Sequence, residues 1–289
     1  MATSERTPPK PQLHQSHLAM LWRCGIQFEN RYVKGIVKPP GIANLVGTAV
    51  HRAASKNLQH KAERKTLLPI ESVRTEARDA FMKAFHDEGL RLTEEERREG
   101  LKAVKGKAID RAVSLATVYS TEIAPKRRPA KQGVGFKFVI AVKGSSHDFA
   151  GEMDDLEQDT SIRDVKTWVA NRGQAEADRS EQLSFYALAH KVRFGVLPKS
   201  VGFDALVDYK AGPKAIPLTS QRDMQDIAVS LARFQKSVEI IEKGAFTPAS
   251  QSDWWCSKRY CGYAETCPYF RGRETVAVNG NGKGVSHGQ

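Results

Sequence analysis

VGFKFVIAVKGSSHDFAGEMDDLEQDTSIRDVKT, residues 134–167, is the stretch on which the reading of this chain turns. Three runs within it, Val134–Val142, Phe149–Leu156 and Ile162–Thr167, are rich in β-branched and aromatic residues and are predicted to be successive strands of a meander. The turn between the last two is Gln158-Asp159-Thr160-Ser161. Side chains alternate along a strand, so Asp164 and Lys166 share a face. If the last two runs pair as a hairpin, Asp154 sits close to Asp164. Two carboxylates held together repel, and a hard divalent cation such as Mg²⁺ or Mn²⁺ relieves that repulsion. A lysine beside them can hold a scissile phosphate or the water about to attack it. This is the equipment of metal-assisted phosphodiester hydrolysis.

The triplet alone is weak, because a chain of this composition holds roughly two or three acid-x-Lys triplets by chance. Glu63-Arg64-Lys65 and Asp208-Tyr209-Lys210 are others. Asp208 ends a plausible strand but has no upstream hairpin strand with a matching carboxylate, and no partner motif downstream. Asp164 has both. Its downstream partner is Gln182-Leu183-Ser184-Phe185-Tyr186, where Gln182 and Tyr186 project from one face of a predicted helix. Taken alone, the pair reads equally as a tyrosine packed on the sheet and an exposed glutamine. Upstream, His51 lies inside a predicted core helix, where a neutral ring could give one nitrogen to a metal or serve a structural role.

Working outward, Ile42, Leu45, Val46, Ala49 and Ala53 recur at helical spacing, so a helix is predicted over about 42–58. Two more helical stretches follow, about 70–87 and 94–120. The second opens with a capping box, Thr93 and Glu96. Beyond the meander come a helix over about 176–194, a strand over 201–209, and a helix over 222–243 stopped by Gly244. With the helical insertion at 66–123 set aside, the order is helix, three strands, helix, strand. That order implies an α/β fold, a mixed sheet with helices against it. Residues 1–12 and 274–289 lack periodicity and are expected to be disordered tails around one domain at 13–273.

The formal charge is +12 on 289 residues, with 45 Lys and Arg against 33 Asp and Glu, which favours a polyanionic partner and nucleic acid first. The densest basic run, Lys126 to Lys131, reads on its own as a phosphate-tracking surface or a solvated loop. No signal peptide or long apolar run is present, so a cytoplasmic protein without a membrane partner is expected. Cys24 stands near the start, and Cys256, Cys261 and Cys267 cluster more than two hundred residues later. Two disulfides or unpaired core thiols are one reading. In a reducing compartment, clustered cysteines point instead to a tetrathiolate site for a [4Fe–4S] cluster or a zinc ion. Such a site would be made by the segment 250–270 and clasp the chain's two ends. Trp254, Trp255 and Tyr260, beside these cysteines, could stack on bases, but packing around the site is the expectation.

His51, Asp154, Asp164-x-Lys166 and Gln182-xxx-Tyr186, framed by Cys24 and the late cysteines, resemble the PD-(D/E)xK nuclease superfamily, and within it the RecB-type nucleases with an iron–sulfur cluster. CRISPR-associated exonucleases, the AddB nuclease domain and phage-encoded relatives belong to that group. The resemblance runs from about Ser16 to Pro268. It implies a restriction-endonuclease-like core with a helical insertion and a Cys-clasped C-terminal segment. It implies that His51, Asp154, Asp164 and the Val165 carbonyl hold Mg²⁺ or Mn²⁺. Lys166 would act on the attacking water or the transition state, and Gln182 and Tyr186 would brace the site. Cys24, Cys256, Cys261 and Cys267 would bind a structural [4Fe–4S] cluster.

The implied activity is a metal-dependent deoxyribonuclease, an exonuclease on single strands or duplex ends, with recombination, repair or CRISPR-type protein partners. The chain departs from the group in two places. Cys256 and Cys261 enclose four residues where two are usual, so zinc stays open, and Val134–Val142 carries no glutamate. The rival expectation is a non-catalytic DNA-binding or recombination accessory protein on the same fold, with a structural zinc site.

Overall fold

The computed structural model describes residues 10–271. The chain opens with β1 (Gln12–Leu13), α1 (Gln15–Arg23) and α2 (Gly25–Phe28). Then come α3 (Ile42–Arg64), α4 (Ile70–Glu88), α5 (Glu94–Glu99) and α6 (Leu101–Val118). The strands β2 (Pro129–Ile140), β3 (Asp148–Glu157) and β4 (Ile162–Trp168) follow. After them lie α7 (Gln174–Asp178), α8 (Glu181–Phe194), β5 (Val201–Tyr209), β6 (Gly212–Ser220) and α9 (Met224–Lys243).

The expected meander is present. β2 pairs antiparallel with β3, β3 antiparallel with β4, and β4 parallel with β5 through the α7–α8 crossover. The sheet is therefore mixed. β2 occupies one edge of β3 from Phe149 to Glu157, so β1 and β4 must share the other, β1 at its start and β4 at its end. Between β3 and β4 the ladder holds only Asp155↔Arg163 and Leu156↔Ile162. The two strands then part, and the gap opens beside Asp154.

Each face of the sheet carries its own core. On one side Leu18 and Leu21 of α1, Phe185 and Tyr186 of α8 and Phe234 of α9 pack on Phe149, Met153, Ile162 and Phe203. On the other, Leu45, Val46, Ala49 and Val50 of α3, Phe81 of α4 and Leu115 of α6 pack with Leu206. Helices α4 and α6, from the segment read as an insertion, pack with α3 in this second layer. No helix among the described residues is long and apolar enough to cross a membrane.

Several boundaries differ from the sequence reading for physical reasons. The Thr93–Glu96 capping box forms as expected, but the helix it starts ends at Glu99, because Gly100 takes φ +93° and a new helix begins at Leu101. The helix expected over 176–194 is two, with Ser180 capping the second through a bond from Leu183 N–H. β6 was not expected from the sequence, and it carries Pro213 and Pro217. It lies at the end of the strand order, hydrogen-bonded only to β5, where a missing N–H is tolerated. Gln12, assigned to the N-terminal tail, pairs with Asp148. The rest of that tail up to residue 9, and the C-terminal tail at 274–289, lie outside the described residues.

Candidate active site

The parting of β3 and β4 creates the site. Beyond Asp155↔Arg163 the backbone N–H of Val165 has lost its strand partner, and the Asp154 carboxylate replaces it, accepting at Oδ2 over 2.8 Å. Its other oxygen lies 2.5 Å from Nε2 of His51, on α3. Asp154 thus reaches toward the α3 layer. Asp164, on the adjacent strand, is turned toward α8, where Oδ1 accepts from Gln182 Nε2 at 2.8 Å and from the Tyr186 hydroxyl at 2.9 Å. Gln182 also donates to the Tyr186 oxygen at 2.7 Å, so the three side chains close a ring. Lys166 Nζ stands 2.6 Å from Asp164 Oδ2. That oxygen is buried and has no well-aligned hydrogen-bond donor.

Electrostatics follow from the burial. Asp154 and Asp164 are 6% and 2% exposed. Burial pushes the Asp164 carboxyl up, Lys166 opposes the rise, and the Asp154 charge adds to it. Burial alone would lower the His51 pKa, but its hydrogen bond to Asp154 and the two carboxylate charges outweigh that, and the net shift is upward. Tyr186 is held well above its usual value by burial and by the same two charges.

All the residues that sequence reading assigned to the reaction meet here: His51, Asp154, Asp164, Val165, Lys166, Gln182 and Tyr186. His51, Val165 and Lys166 line a groove of about 1250 Å³ that runs along the exposed stripe Asn44, Thr48 and Arg52 of α3. Both aspartates are engaged by protein donors, and no group of three His, Cys, Asp or Glu side chains among the described residues forms a ready metal cage. The chemistry of the set still suits a hard cation. It presents two buried carboxylates, one with an oxygen lacking an aligned donor, and an imidazole bonded to the other.

The four cysteines are free thiols. The disulfide reading therefore does not hold. Cys24, Cys256, Cys261 and Cys267 line one small enclosed pocket together with Ile26, Tyr263 and Phe270. Gln27 donates to Cys261 Sγ at 3.1 Å, and Arg23 Nη2 binds the amide oxygen of Gln27 at 2.8 Å. Arginine can only donate, so the orientation of that amide is fixed with its NH₂ toward sulfur. Trp254, Trp255 and Tyr260 are not part of this lining, contrary to expectation. Trp254 and Tyr260 are exposed and meet edge to face, and Trp255 bonds the Arg23 carbonyl.

The basic run also needs correction. Lys126, Arg128 and Lys131 are exposed, but Arg127 turns inward and pairs through two nitrogens with the fully buried Asp204 of β5, one contact being 2.8 Å. It cannot track a phosphate backbone. The same buried cluster holds Asp155, whose carboxyl is raised to about 8 by burial and by Glu157 and Asp204. Sequence reading missed this cluster, although an aspartate inside the apolar run Val201-Gly-Phe-Asp-Ala-Leu-Val207 was a signal that a buried partner existed.

The model of a family described as the PD-(D/E)XK nuclease superfamily matches residues 12–268 of the chain. Among solved structures, one described as "Putative exonuclease" from Eubacterium rectale is 13% identical, covers 86% of this chain and 89% of its own, and has a TM-score of 0.50. At that identity the likeness concerns the fold. The structure of SSO0001 is 12% identical over 85% of this chain and 95% of its own, with a TM-score of 0.34. No curated protein matches the chain by sequence.

Proposed function

Because the chain belongs to the PD-(D/E)XK nuclease superfamily, we propose that it is a divalent-metal-dependent deoxyribonuclease, acting as an exonuclease of the RecB type. The observation that carries this reading is the split between β3 and β4, which brings Asp154, Asp164 and Lys166 together with His51 at one opening. PD-(D/E)XK nucleases typically use Mg²⁺ or Mn²⁺, and here Asp154, Asp164, His51 and the Val165 carbonyl would hold the ion. When bound, the cation supplies a nucleophilic hydroxide near neutral pH and offsets charge on the phosphate.

The remaining work falls to the chain. Lys166, whose ammonium already faces the carboxylates, positions the attacking water and balances charge developing on the phosphoryl oxygens. Gln182 and Tyr186 hold Asp164 in one orientation through the closed ring of hydrogen bonds. The groove along α3 receives the nucleic-acid backbone. In this reading Cys24, Cys256, Cys261 and Cys267 hold a [4Fe–4S] cluster with a structural role. The shared pocket and the amide hydrogen bond to Cys261 support a common set of sulfur ligands there, and the same donors would accept zinc.

The test is cleavage of end-labelled single- and double-stranded DNA with Mg²⁺ or Mn²⁺. Wild type should shorten labelled ends, EDTA should stop it, and Lys166→Ala should lose roughly 10²–10⁴-fold in rate while still binding DNA. Wild-type cleavage rates in the variant would remove Lys166 from the reaction. An inert wild type that still binds DNA would instead identify an accessory protein.

A further inference from the structure

Lys166 is reached from two sides. One is the groove along α3. The other is a separate cleft of about 420 Å³ whose lining includes Lys166 and Gln182 together with Trp22, Phe203, Arg179 and Arg233. We infer that this second cleft is a nucleotide subsite, which takes one nucleotide of a single strand on the side of the scissile bond opposite the α3 groove. The inference rests on the nuclease reading above.

Chemistry requires such a place. A phosphodiester held at Lys166 has a nucleotide on each side, and the α3 groove accounts for one side only. The cleft begins at the same lysine and is open to solvent, with room for one nucleotide to lie along it. Its floor is the buried ring of Phe203, beneath the Lys166 ammonium at 5.4 Å. Its wall is a rigid platform. The indole N–H of Trp22 donates to Ser237 Oγ at 2.8 Å, and the Arg233 guanidinium lies 4.2 Å from the centre of the same ring. Glu181 pairs with Arg233 and holds the guanidinium plane in place. A planar guanidinium already stacked on an aromatic ring offers its outer face to a base, and stacking of this kind is indifferent to sequence.

Charge favours a phosphate as well. Glu176 and Glu181 also line the cleft, but each is paired, with Arg172 and Arg233 respectively. Arg179 is exposed and makes no ion pair among the described residues. Lys166 is engaged by Asp164, so Arg179 is the cationic donor that the carboxylates of the cleft leave free for a phosphate.

The experiment scans an abasic residue along a single-stranded oligonucleotide and measures steady-state cleavage by the full chain with Mg²⁺. Wild type should show a raised KM, by about tenfold, when the abasic residue occupies the subsite. Arg233→Ala should raise KM by about the same factor on intact DNA, keep kcat within roughly threefold, and lose its sensitivity to the abasic residue at that one position. Arg179→Ala, at an exposed position, should also raise KM, and an unchanged thermal midpoint shows that it is folded. If Arg233→Ala keeps wild-type sensitivity at every scanned position, or if neither variant changes KM, the subsite is wrong while the nuclease reading stands. A wild type that cuts no oligonucleotide with either metal overturns both.

Discussion

At the scale of the residue, Tyr186 shows how much of this site depends on hydroxyl geometry. It is 5% exposed, and its oxygen sits between Gln182 and Asp164. Tyr186→Phe keeps the ring in its core position and removes one donor from a buried carboxylate. We expect a loss of about 1 kcal/mol in stability, read by chemical denaturation. A drop of roughly tenfold in cleavage rate should follow from the freed motion of Asp164. Unchanged kcat would make the hydroxyl purely structural. These site residues were legible because each pairwise relation is local. Asp154 and Asp164 are carried by neighbouring antiparallel strands joined by a short turn, and Gln182 and Tyr186 by one helical turn. The pairing of Arg127 with Asp204 was not, since they lie 77 positions apart and no local period links them. The amide of Gln27 on Cys261 was hidden for the same reason.

At the scale of the element, periodicity located most helices and strands and erred where a single residue overrode it. Gly100 broke one predicted helix and Ser180 divided another. Two prolines disguised β6. Gly202 on β5 shows a constraint no pattern carries. A Cβ there would stand 2.2 Å from the Leu218 carbonyl and 2.4 Å from Arg163 Nη1, so the strand can only pass this point as glycine. Helix α1 offers a test by pH. His17 packs against Tyr32 at 4.3 Å between ring centres, near His14 and Arg31. Burial, with the charges of His14 and Arg31, lowers its pKa from 6.5 to about 4. The unfolded chain therefore takes up this proton at higher pH than the folded one. The stability His17 contributes is present above pH 6.5 and is lost as pH falls from there toward 4. Thermal midpoints measured across that window should fall less in His17→Phe than in wild type. Parallel curves for the two proteins would discard the assignment.

At the scale of the whole molecule, two helical layers grip one mixed sheet, and the site lies at the gap where the sheet opens between them. The sequence order alone pointed to that class of fold. It did not show that α4 and α6 of the segment 66–123 join α3 in one of the two layers, because apolar faces do not announce which sheet face they cover. The cysteine pocket belongs to this scale too, since it gathers the two ends of the described chain. Protein purified anaerobically should be brown and contain iron. Cys261→Ala should lose the colour and lower the thermal midpoint by several degrees through the loss of the clasp. A colourless wild type with stoichiometric zinc would replace iron in the proposal and leave the clasp intact. Metal-free wild type with the same midpoint as the variant would remove the clasp altogether.

The seam between α1 and the last helix also sets an order of events during synthesis. Gly25 N–H, at the start of α2, is bonded to the Thr247 carbonyl, and Trp22 of α1 to Ser237, so part of this first region's bonding waits for a segment made 215 residues later. Every reacting side chain, through Tyr186, has by then left the ribosome. The nascent chain must carry the apolar face of α1, with Leu18 and Leu21, uncovered by α9 until that helix has been made, and that uncovered interval is where chaperones or premature association would act.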